Sequence, residues 1–246
     1  AAYAEELVAM GVERDRLRDL PRGVDLDLFS PDKRQPGLFA GRGLPPGPVL
    51  LYVGRLSREK NLAALFLAFR ALRERGVQAG LAIVGDGPER RALEMRWSSP
   101  DVAFTGYLAG EELAAAYASA DLFVFPSRTD TFGNAVLEAM ASGLPAIVAR
   151  EGGPAEQIRH GETGLVVDLD LPDLLVDAMR MLLSHDGLRH RLGAAARAHA
   201  AAASWDRLLG ALFPGFPPLT GSRASDAGSD STAGLPELAG ALANAS

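Results

Sequence analysis

The chain has 246 residues, of which 48% are hydrophobic, and its formal net charge is -6. This length is enough for one large domain with a buried core, and the negative charge argues against a general nucleic-acid-binding surface. The absence of cysteine excludes disulfides and thiolate metal sites. Neither a run of about 18 apolar residues nor a secretory signal is present, so we expect a cytoplasmic chain without a transmembrane segment.

The first residues are not predicted to belong to a sheet. Residues 1–22 contain a short amphipathic helix and a loop, without a strand–helix–strand unit ahead of the first strand. The chain also begins without Met. We therefore expect a fragment in which residues 1–22 are a linker and short helix from a missing N-terminal domain.

Strands and helices alternate along most of the remaining chain. Short apolar runs bounded by Gly, Pro or Asp predict buried strands at residues 49–53, 81–84, 102–104, 121–125, 145–149 and 164–167. Apolar residues at three-to-four spacing predict helices at residues 58–74, 87–96, 110–119, 134–142, 154–159, 171–184 and 187–203, with Trp205 opening a last short one. This alternation predicts an α/β fold, a Rossmann-like, doubly wound, mostly parallel sheet of about six strands that binds its ligands at the carboxyl ends of the strands.

The predicted domain covers residues 23–210. From about Pro214 onward Gly, Ser, Pro, Ala and Asp dominate the sequence, and hardly any bulky residue is available for burial. Such a composition supplies too little apolar surface to fold. We predict that residues 211–246 are a disordered low-complexity tail.

The loop after the first predicted strand carries two cations. Residues 54–61 read Gly-Arg-Leu-Ser-Arg-Glu-Lys-Asn, in which Gly54 allows a tight turn and Ser57 is placed to cap the following helix. Arg55 and Lys60 add positive charge beside the unpaired amides of that helix N-terminus. This combination favours a diphosphate-binding loop. A surface helix that happens to begin with charged residues is the alternative.

The loop after the second predicted strand is rich in glycine but does not match a dinucleotide site. It reads Gly-Asp-Gly-Pro-Glu from Gly85 onward, and Pro88 is placed in the first turn of a helix. Arg90 stands where the third glycine of a dinucleotide fingerprint belongs, and no acidic residue ends the next strand. NAD is therefore disfavoured. The glycines fit either a tight strand-to-helix turn or direct contact with a ligand.

The stretch 126–145 places two acidic residues around the start of a helix. A polar loop ends in Phe-Gly and leads directly into the helix, so that Gly133 and Asn134 present backbone amides to an anion. Asp130 and Glu138 are eight residues apart, about 12 Å along a helix, which is too far for one carboxylate pair. We expect Glu138 to accept hydrogen bonds from a diol and Asp130 to reach another hydroxyl of the same ligand. A solvated helix face is the alternative for Glu138, although its neighbours are apolar.

Several ordered motifs of the chain occur together in one known family. They are Pro21-Arg22-Gly23-Val24-Asp25 with Phe29, Gly54-Arg55-Leu56 to Lys60-Asn61, Val84-Gly85-Asp86-Gly87-Pro88, Phe104-Thr105-Gly106-Tyr107-Leu108, the block from Asp130 to Pro145, Gly152-Gly153-Pro154-Ala155-Glu156 and Gly161-Glu162-Thr163-Gly164. Over about residues 15–205 the chain thus resembles the C-terminal, donor-binding domain of glycosyltransferase family 4, which is one half of a GT-B enzyme.

The resemblance implies roles for individual residues. Arg55 and Lys60 would neutralise the diphosphate of a nucleotide-sugar donor, Glu138 would bind the ribose hydroxyls, and backbone around Leu108 would hold the base. Asp130 takes the place of the first acid of the family's E-x7-E pattern, which contacts the transferred sugar, and is one methylene shorter. The implied catalytic residues are Asp130, Arg55 and Lys60. The implied donor-binding residues are Gly54, Arg55, Lys60, Gly85, Leu108, Asp130, Phe132, Gly133, Asn134 and Glu138.

The resemblance also implies a reaction, the retaining, metal-independent transfer of a sugar from a UDP-sugar or GDP-sugar to a glycan or lipid acceptor. The missing N-terminal domain would bind the acceptor, so we expect this fragment alone to be inactive and the full-length parent to be peripheral to the membrane. Cations and helix amides would stabilise the leaving diphosphate, without a covalent nucleophile or a cofactor.

No metal is expected either. Asp25 and Asp27 form a D-x-D pattern, but they lie in a Gly-Val-Asp turn ahead of the sheet. The histidines show no pair at the spacing of a zinc site; they are His160, His185, His190 and His199.

Two other interpretations remain open. One is a stand-alone nucleotide-sugar-binding module, or an inactive remnant, which the absence of a first domain favours for this fragment. The other is an enzyme of similar two-domain shape. One such enzyme is a sugar-nucleotide epimerase, which lacks the E-x7-E pattern. Another is a phosphorylase, which needs a lysine for its pyridoxal cofactor, and the chain offers only Lys33 and Lys60.

Overall fold

The structure is a computed structural model that describes residues 4–17, 22–203 and 205. The predicted tail at residues 211–246 lies outside the described residues, as do most of the residues of the short helix predicted from Trp205. Within the described part, a short helix α1 covers Ala4–Ala9 and is followed by a 3-10 turn at Arg14–Arg16.

Six parallel strands form one sheet in the order β3-β2-β1-β4-β5-β6. The strands are β1 (Val49–Val53), β2 (Gly80–Val84), β3 (Val102–Gly106), β4 (Leu122–Phe125), β5 (Ala146–Ala149) and β6 (Gly164–Val167). All residues of β1, β2, β4 and β5 are buried, as expected for a parallel sheet covered on both faces. The predicted Rossmann-like α/β fold is confirmed.

The helices that follow the strands are α2 (Leu62–Glu74), α3 (Arg90–Trp97), α4 (Gly110–Ser119), α5 (Asn134–Ala141), α6 (Pro172–Ser184) and α7 (Asp186–Ala201). Helix α2 packs against α6, and α5 packs against α7. Among the described residues, no helix has the length and apolar character needed to cross a membrane. Most predicted elements match these bounds within two residues, but three helices do not.

The helix predicted at residues 58–74 begins later, at Leu62. Arg58–Lys60 form a separate 3-10 turn, and Asn61 has a left-handed backbone with φ of 54°, which interrupts the helical path. The prediction that Ser57 caps the helix is also wrong, because the Ser57 hydroxyl donates to the Glu59 carboxylate instead of accepting from a backbone amide.

The helix predicted at residues 87–96 begins at Arg90, so Pro88 precedes the helix instead of lying in its first turn. The reason is a pair of backbone hydrogen bonds that tie this loop to the β1 loop, from Leu56 N to Asp86 O and from Glu89 N to Leu56 O. The third difference is residues 154–159, where a 3-10 helix covers Gly153–Gln157 instead of an α-helix.

The order of the strands creates a crevice between β1 and β4. The chain winds from β1 through β2 to β3 on one side and continues from β4 through β5 to β6 on the other side. The loops that leave β1 and β4 therefore diverge at the carboxyl edge of the sheet. Ligands of doubly wound folds bind at such a switch in strand order.

Candidate functional site

A cleft of about 260 Å³ opens where the loops after β1 and β4 diverge. The ends of both strands, the loop before α5 and the first residues of α5 form most of its wall. The lining residues are Arg22, Val53, Gly54, Lys60, Phe125, Asp130, Thr131, Phe132, Gly133, Asn134 and Ala135.

An ion pair joins the two loops across the cleft. The ammonium nitrogen of Lys60 lies 2.7 Å from Oδ1 and 2.9 Å from Oδ2 of Asp130. The side chains are only 18% and 19% exposed. Because both oxygens face the same ammonium group at short distance in a mostly buried place, each charge offsets the other.

Two longer hydrogen bonds also join the same loops. The amide nitrogen Nδ2 of Asn61 donates to the carbonyl of Pro126, and the hydroxyl of the fully buried Ser127 donates to the carbonyl of Glu59, each at 3.4 Å. The left-handed backbone of Asn61 follows Lys60 directly. Hydrogen bonds to the β4 loop from the residues on either side of Lys60 therefore position the Lys60 backbone relative to that loop.

The N-terminus of α5 borders the cleft. Gly133 has a φ of 83° and occupies the N-cap position, where a left-handed backbone favours glycine. The side chain of Gln157 donates from Nε2 to the carbonyls of Phe132 and Gly133 and so fixes the chain as it enters the helix. The first amides of a helix have no partner within it. Asn134 and Ala135 therefore bring an anion-binding end of α5 to the cleft.

Glu138 lies one turn further along α5 and is half-buried. Its Oε2 accepts a hydrogen bond of 2.9 Å from the hydroxyl of Tyr117 on α4. Burial raises the pKa of the Glu138 carboxyl above its ordinary value, and the bond from Tyr117 opposes that rise. The acid expected to need a partner among apolar neighbours has one.

The structure brings most, but not all, of the predicted site residues to the cleft. Its lining includes the predicted residues Gly54, Lys60, Asp130, Phe132, Gly133 and Asn134. Four others do not line it: Arg55, Gly85, Leu108 and Glu138. Arg55 directly follows the lining residue Gly54, and its side chain is exposed. Its expected role beside Lys60 stays a prediction.

Gly85 packs against the lining residue Gly54. A Cβ atom at this position would lie 2.0 Å from the carbonyl oxygen of Gly54. The β1 and β2 loops therefore contact each other through their backbones. A side chain at Gly85 would displace Gly54, which lines the cleft. Leu108 is buried after β3.

Sequence reasoning gave no role to several residues that shape the site. Arg22 belongs to a quoted motif, yet nothing in that motif indicates that its guanidinium group lies 5.6 Å from the ring centre of Phe132. Tyr117 stands in an alanine-rich helix, and Gln157 in a segment predicted to be an ordinary helix. Their contacts join parts of the chain that are distant in sequence, for which a local pattern carries no signal.

Carboxylates that could bind a metal lie elsewhere. In the part of the chain that the structure describes, Glu151, Asp168 and Asp170 form one such cluster, and none of them lines the cleft. Arginines already pair with two of these carboxylates, since Arg150 lies 2.6 Å from Asp168 and Arg128 lies 2.8 Å from Asp170.

The D-x-D pattern has a structural explanation. Asp25 Oδ1 accepts hydrogen bonds from the backbone amides of Asp27 and Leu28 at 3.0 and 2.9 Å, so it stabilises a turn. That metal is not required remains a prediction.

Comparison with known proteins places these features in a family. Residues 40–199 match the family described as Glycosyl transferases group 1. The sulfoquinovosyl transferase SQD2 of Arabidopsis thaliana is 36% identical over 211 residues, which are 83% of this chain and 41% of that protein. A GDP-mannose-dependent alpha-mannosyltransferase of Mycobacterium tuberculosis is 37% identical over 230 residues, 92% of this chain and 57% of that protein. The chain thus spans about half the length of these relatives.

A solved structure agrees with the fold. Sucrose-phosphate synthase from Thermosynechococcus elongatus superposes with a TM-score of 0.72 and 28% sequence identity. The match covers 86% of this chain and 56% of that one. The six-stranded sheet is therefore the one found in GT-B glycosyltransferases.

Proposed function

The chain belongs to the glycosyl transferases group 1 family, and on this basis we propose that it binds a nucleoside-diphosphate sugar in the cleft between the β1 and β4 loops. One observation carries the proposal. Lys60 from the β1 loop and Asp130 from the β4 loop meet at 2.7 Å beside the N-terminus of α5. A cation, a carboxylate and free helix amides together suit a ligand that has both a diphosphate and hydroxyl groups.

In the proposed complex the diphosphate lies against the first turn of α5 and the Lys60 ammonium group. Asp130 accepts a hydrogen bond from a hydroxyl of the transferred sugar. Glu138 accepts bonds from the ribose hydroxyls, and backbone near Leu108 contacts the base. Since neither of the last two residues lines the cleft, the nucleoside extends from the cleft towards α4 and the end of β3.

The proposed reaction transfers the sugar with retention and without a metal. The bond between the anomeric carbon and the β-phosphate oxygen breaks, and the acceptor oxygen forms a new bond to that carbon on the same face. The acceptor's proton passes to the departing diphosphate. Negative charge on the diphosphate grows as the bond breaks, so Lys60 and the amides of α5 stabilise the transition state more than the ground state.

We propose GDP-mannose as the donor, because a relative with that donor in its name is 37% identical over 92% of this chain. This chain matches only about half of the length of these relatives. We therefore propose that a glycan or lipid acceptor is bound by a region that corresponds to the rest of their length.

Calorimetric titration with GDP-mannose, UDP-glucose, GDP and UDP, each with and without EDTA, tests the proposal. We expect the guanosine ligands to bind more tightly than the uridine ligands, with no effect of EDTA. Binding of the uridine ligands alone would overturn the donor assignment, and loss of binding in EDTA would overturn metal independence. If none of the four binds, the proposed function is wrong. If GDP-mannose binds, a second assay measures whether free GDP is released from it. Release indicates an enzyme, and binding without release indicates a module that only binds.

A further inference from the structure

The charges that line the cleft leave a diphosphate poorly compensated. The charged lining residues are Arg22, Lys60 and Asp130. Asp130 holds both of its oxygens against Lys60, so this pair contributes little net charge. A diphosphate carries at least two negative charges, and burial of anionic oxygens without a cation is unfavourable. The remaining positive charge of the lining belongs to Arg22.

Arg22 has no carboxylate partner among the residues that the structure describes. Its one described side-chain contact is with an aromatic ring, since its guanidinium carbon lies 5.6 Å from the ring centre of Phe132. An arginine that packs its flat face on an aromatic ring keeps the N–H groups at its edge available as donors. Phe132 directly precedes Gly133, the N-cap of α5. Arg22 and the first amides of α5 therefore border the same cleft.

The backbone next to Arg22 is anchored to the folded domain. The amide of Val24 donates to the carbonyl of Ala203 at 3.0 Å, and a Cβ atom on Gly23 would lie 2.3 Å from the Trp205 ring. A few residues further on, Arg197 of α7 donates to the carbonyls of Leu26 and Phe29. Packing on α7 and on Trp205 thus holds this segment, including Arg22, beside the cleft.

We propose that Arg22 binds the donor diphosphate, as the cation that accompanies Lys60 in the cleft. This inference rests on the proposed function. It adds to the β1 loop a cation from a distant part of the chain; Arg55, which the sequence also indicated for the diphosphate, is exposed and is not among the lining residues. A guanidinium group offers two parallel donors to a phosphate, which an ammonium group does not.

The test is calorimetric titration of the chain with GDP and with inorganic pyrophosphate at two salt concentrations. Arg22→Ala should weaken both ligands by about tenfold or more, the effect of losing a charge-assisted contact, and should reduce the salt dependence of binding. Arg22→Lys, which retains the charge but not the planar fork, should lie between wild type and Arg22→Ala. The matched control is Arg91→Ala, because Arg91 is an exposed arginine of α3 that does not line the cleft; it should bind as wild type does.

The outcomes separate this inference from the proposed function. If the wild-type chain binds neither nucleotides nor pyrophosphate, the proposed function fails. If it binds them and Arg22→Ala binds equally well, only the role of Arg22 is overturned. Equal losses in Arg22→Ala and Arg91→Ala would also overturn it, because they would reflect the overall charge. If Arg22→Ala lowers the melting temperature, the Arg22→Lys variant tests the role of Arg22 instead. Wild-type affinity and salt dependence for both ligands in Arg22→Lys would contradict the bidentate contact.

Discussion

The hydroxyl of Tyr117 on α4 donates a hydrogen bond of 2.9 Å to Oε2 of Glu138 on α5. Tyr117 is fully buried, and Glu138 is half-buried. Removal from water raises the pKa of the Glu138 carboxyl, whereas the hydrogen bond from Tyr117 favours the ionised form and lowers it. The tyrosine therefore orients the proposed ribose-binding carboxylate and also helps to keep it charged.

This relationship predicts how nucleotide binding depends on pH. An ionised Glu138 accepts hydrogen bonds from a diol better than a protonated one, so affinity for GDP should fall as pH decreases through the raised pKa of Glu138. Tyr117→Phe removes the bond that lowers this pKa, and the loss of affinity should then occur at a higher pH than in wild type. Titrations with GDP between about pH 5 and pH 8 measure the shift.

The control for this prediction is the double variant. In a Glu138→Gln background the side chain no longer titrates, so Tyr117→Phe should not change the pH dependence of GDP affinity. Superimposable pH profiles of wild type and Tyr117→Phe would contradict the role of Tyr117. A pH-independent loss of the same size in both backgrounds would mean that the tyrosine acts only through packing.

Glu138 also predicts a pH dependence of stability. A carboxyl group whose pKa is raised in the folded chain favours the fold while it is protonated, and this contribution is lost as pH rises through the folded pKa. Glu138→Gln should therefore increase the free energy of unfolding at neutral pH, with a difference from wild type that shrinks as the pH is lowered. Urea denaturation at neutral and mildly acidic pH measures this difference. A variant that is less stable than wild type at neutral pH would contradict the direction of the shift.

The same substitution should distinguish two ligands. Glu138→Gln should weaken binding of GDP, which contains ribose, and should leave inorganic pyrophosphate unaffected, because only the nucleotide reaches Glu138 in the proposed complex. A charge-assisted hydrogen bond contributes about 1.5 to 3 kcal/mol. Calorimetry with both ligands checks this. Losses of equal size would show that Glu138 does not contact the ribose.

Much of the fold could be predicted because a parallel sheet buries both faces of its strands. The apolar runs at Val49–Val53 and Gly164–Val167 have the bounds of β1 and β6. The start of α2 could not be predicted, because Asn61 adopts a left-handed backbone whose only local signal is the residue type. The start of α3 depends on backbone bonds to Leu56 in another loop.

The candidate site likewise contains residues that could be placed from the sequence and residues that could not. Lys60, Asp130 and Gly133 could be placed from the sequence, because each follows a strand whose end lies at the switch in strand order. The contact of Arg22 with Phe132 could not be predicted, because the two residues are far apart in the sequence and meet only in the folded chain. The ion pair between Lys60 and Asp130 was not predicted either. The sequence analysis assigned the two side chains to different parts of the ligand, and only the tertiary structure brings them together.

That ion pair predicts opposite effects for its two members. Asp130→Asn should increase affinity for inorganic pyrophosphate, because it frees the positive charge of Lys60. Lys60→Ala should decrease it by about 1.5 to 3 kcal/mol and leaves Asp130 as an unpaired anion in the cleft. The double variant should bind pyrophosphate better than Lys60→Ala does. Pyrophosphate titrations of the three variants check these directions, and weaker binding to Asp130→Asn than to wild type would contradict them.

A glycine pair tests whether the contact between the β1 and β2 loops forms the wall of the cleft. Gly85 has a φ of 134°, a region that side chains rarely adopt, and its added Cβ would lie 2.0 Å from the carbonyl oxygen of Gly54. Gly85→Ala should therefore cost about 1 to 3 kcal/mol of stability and weaken GDP binding, because Gly54 must move. Gly187→Ala in α7 is the matched control: its Cβ would have no neighbour within 4 Å, and stability should rise by up to about 1 kcal/mol. Thermal unfolding and GDP titration of both variants decide the point, since wild-type affinity in Gly85→Ala would mean that the contact between the loops does not shape the binding site.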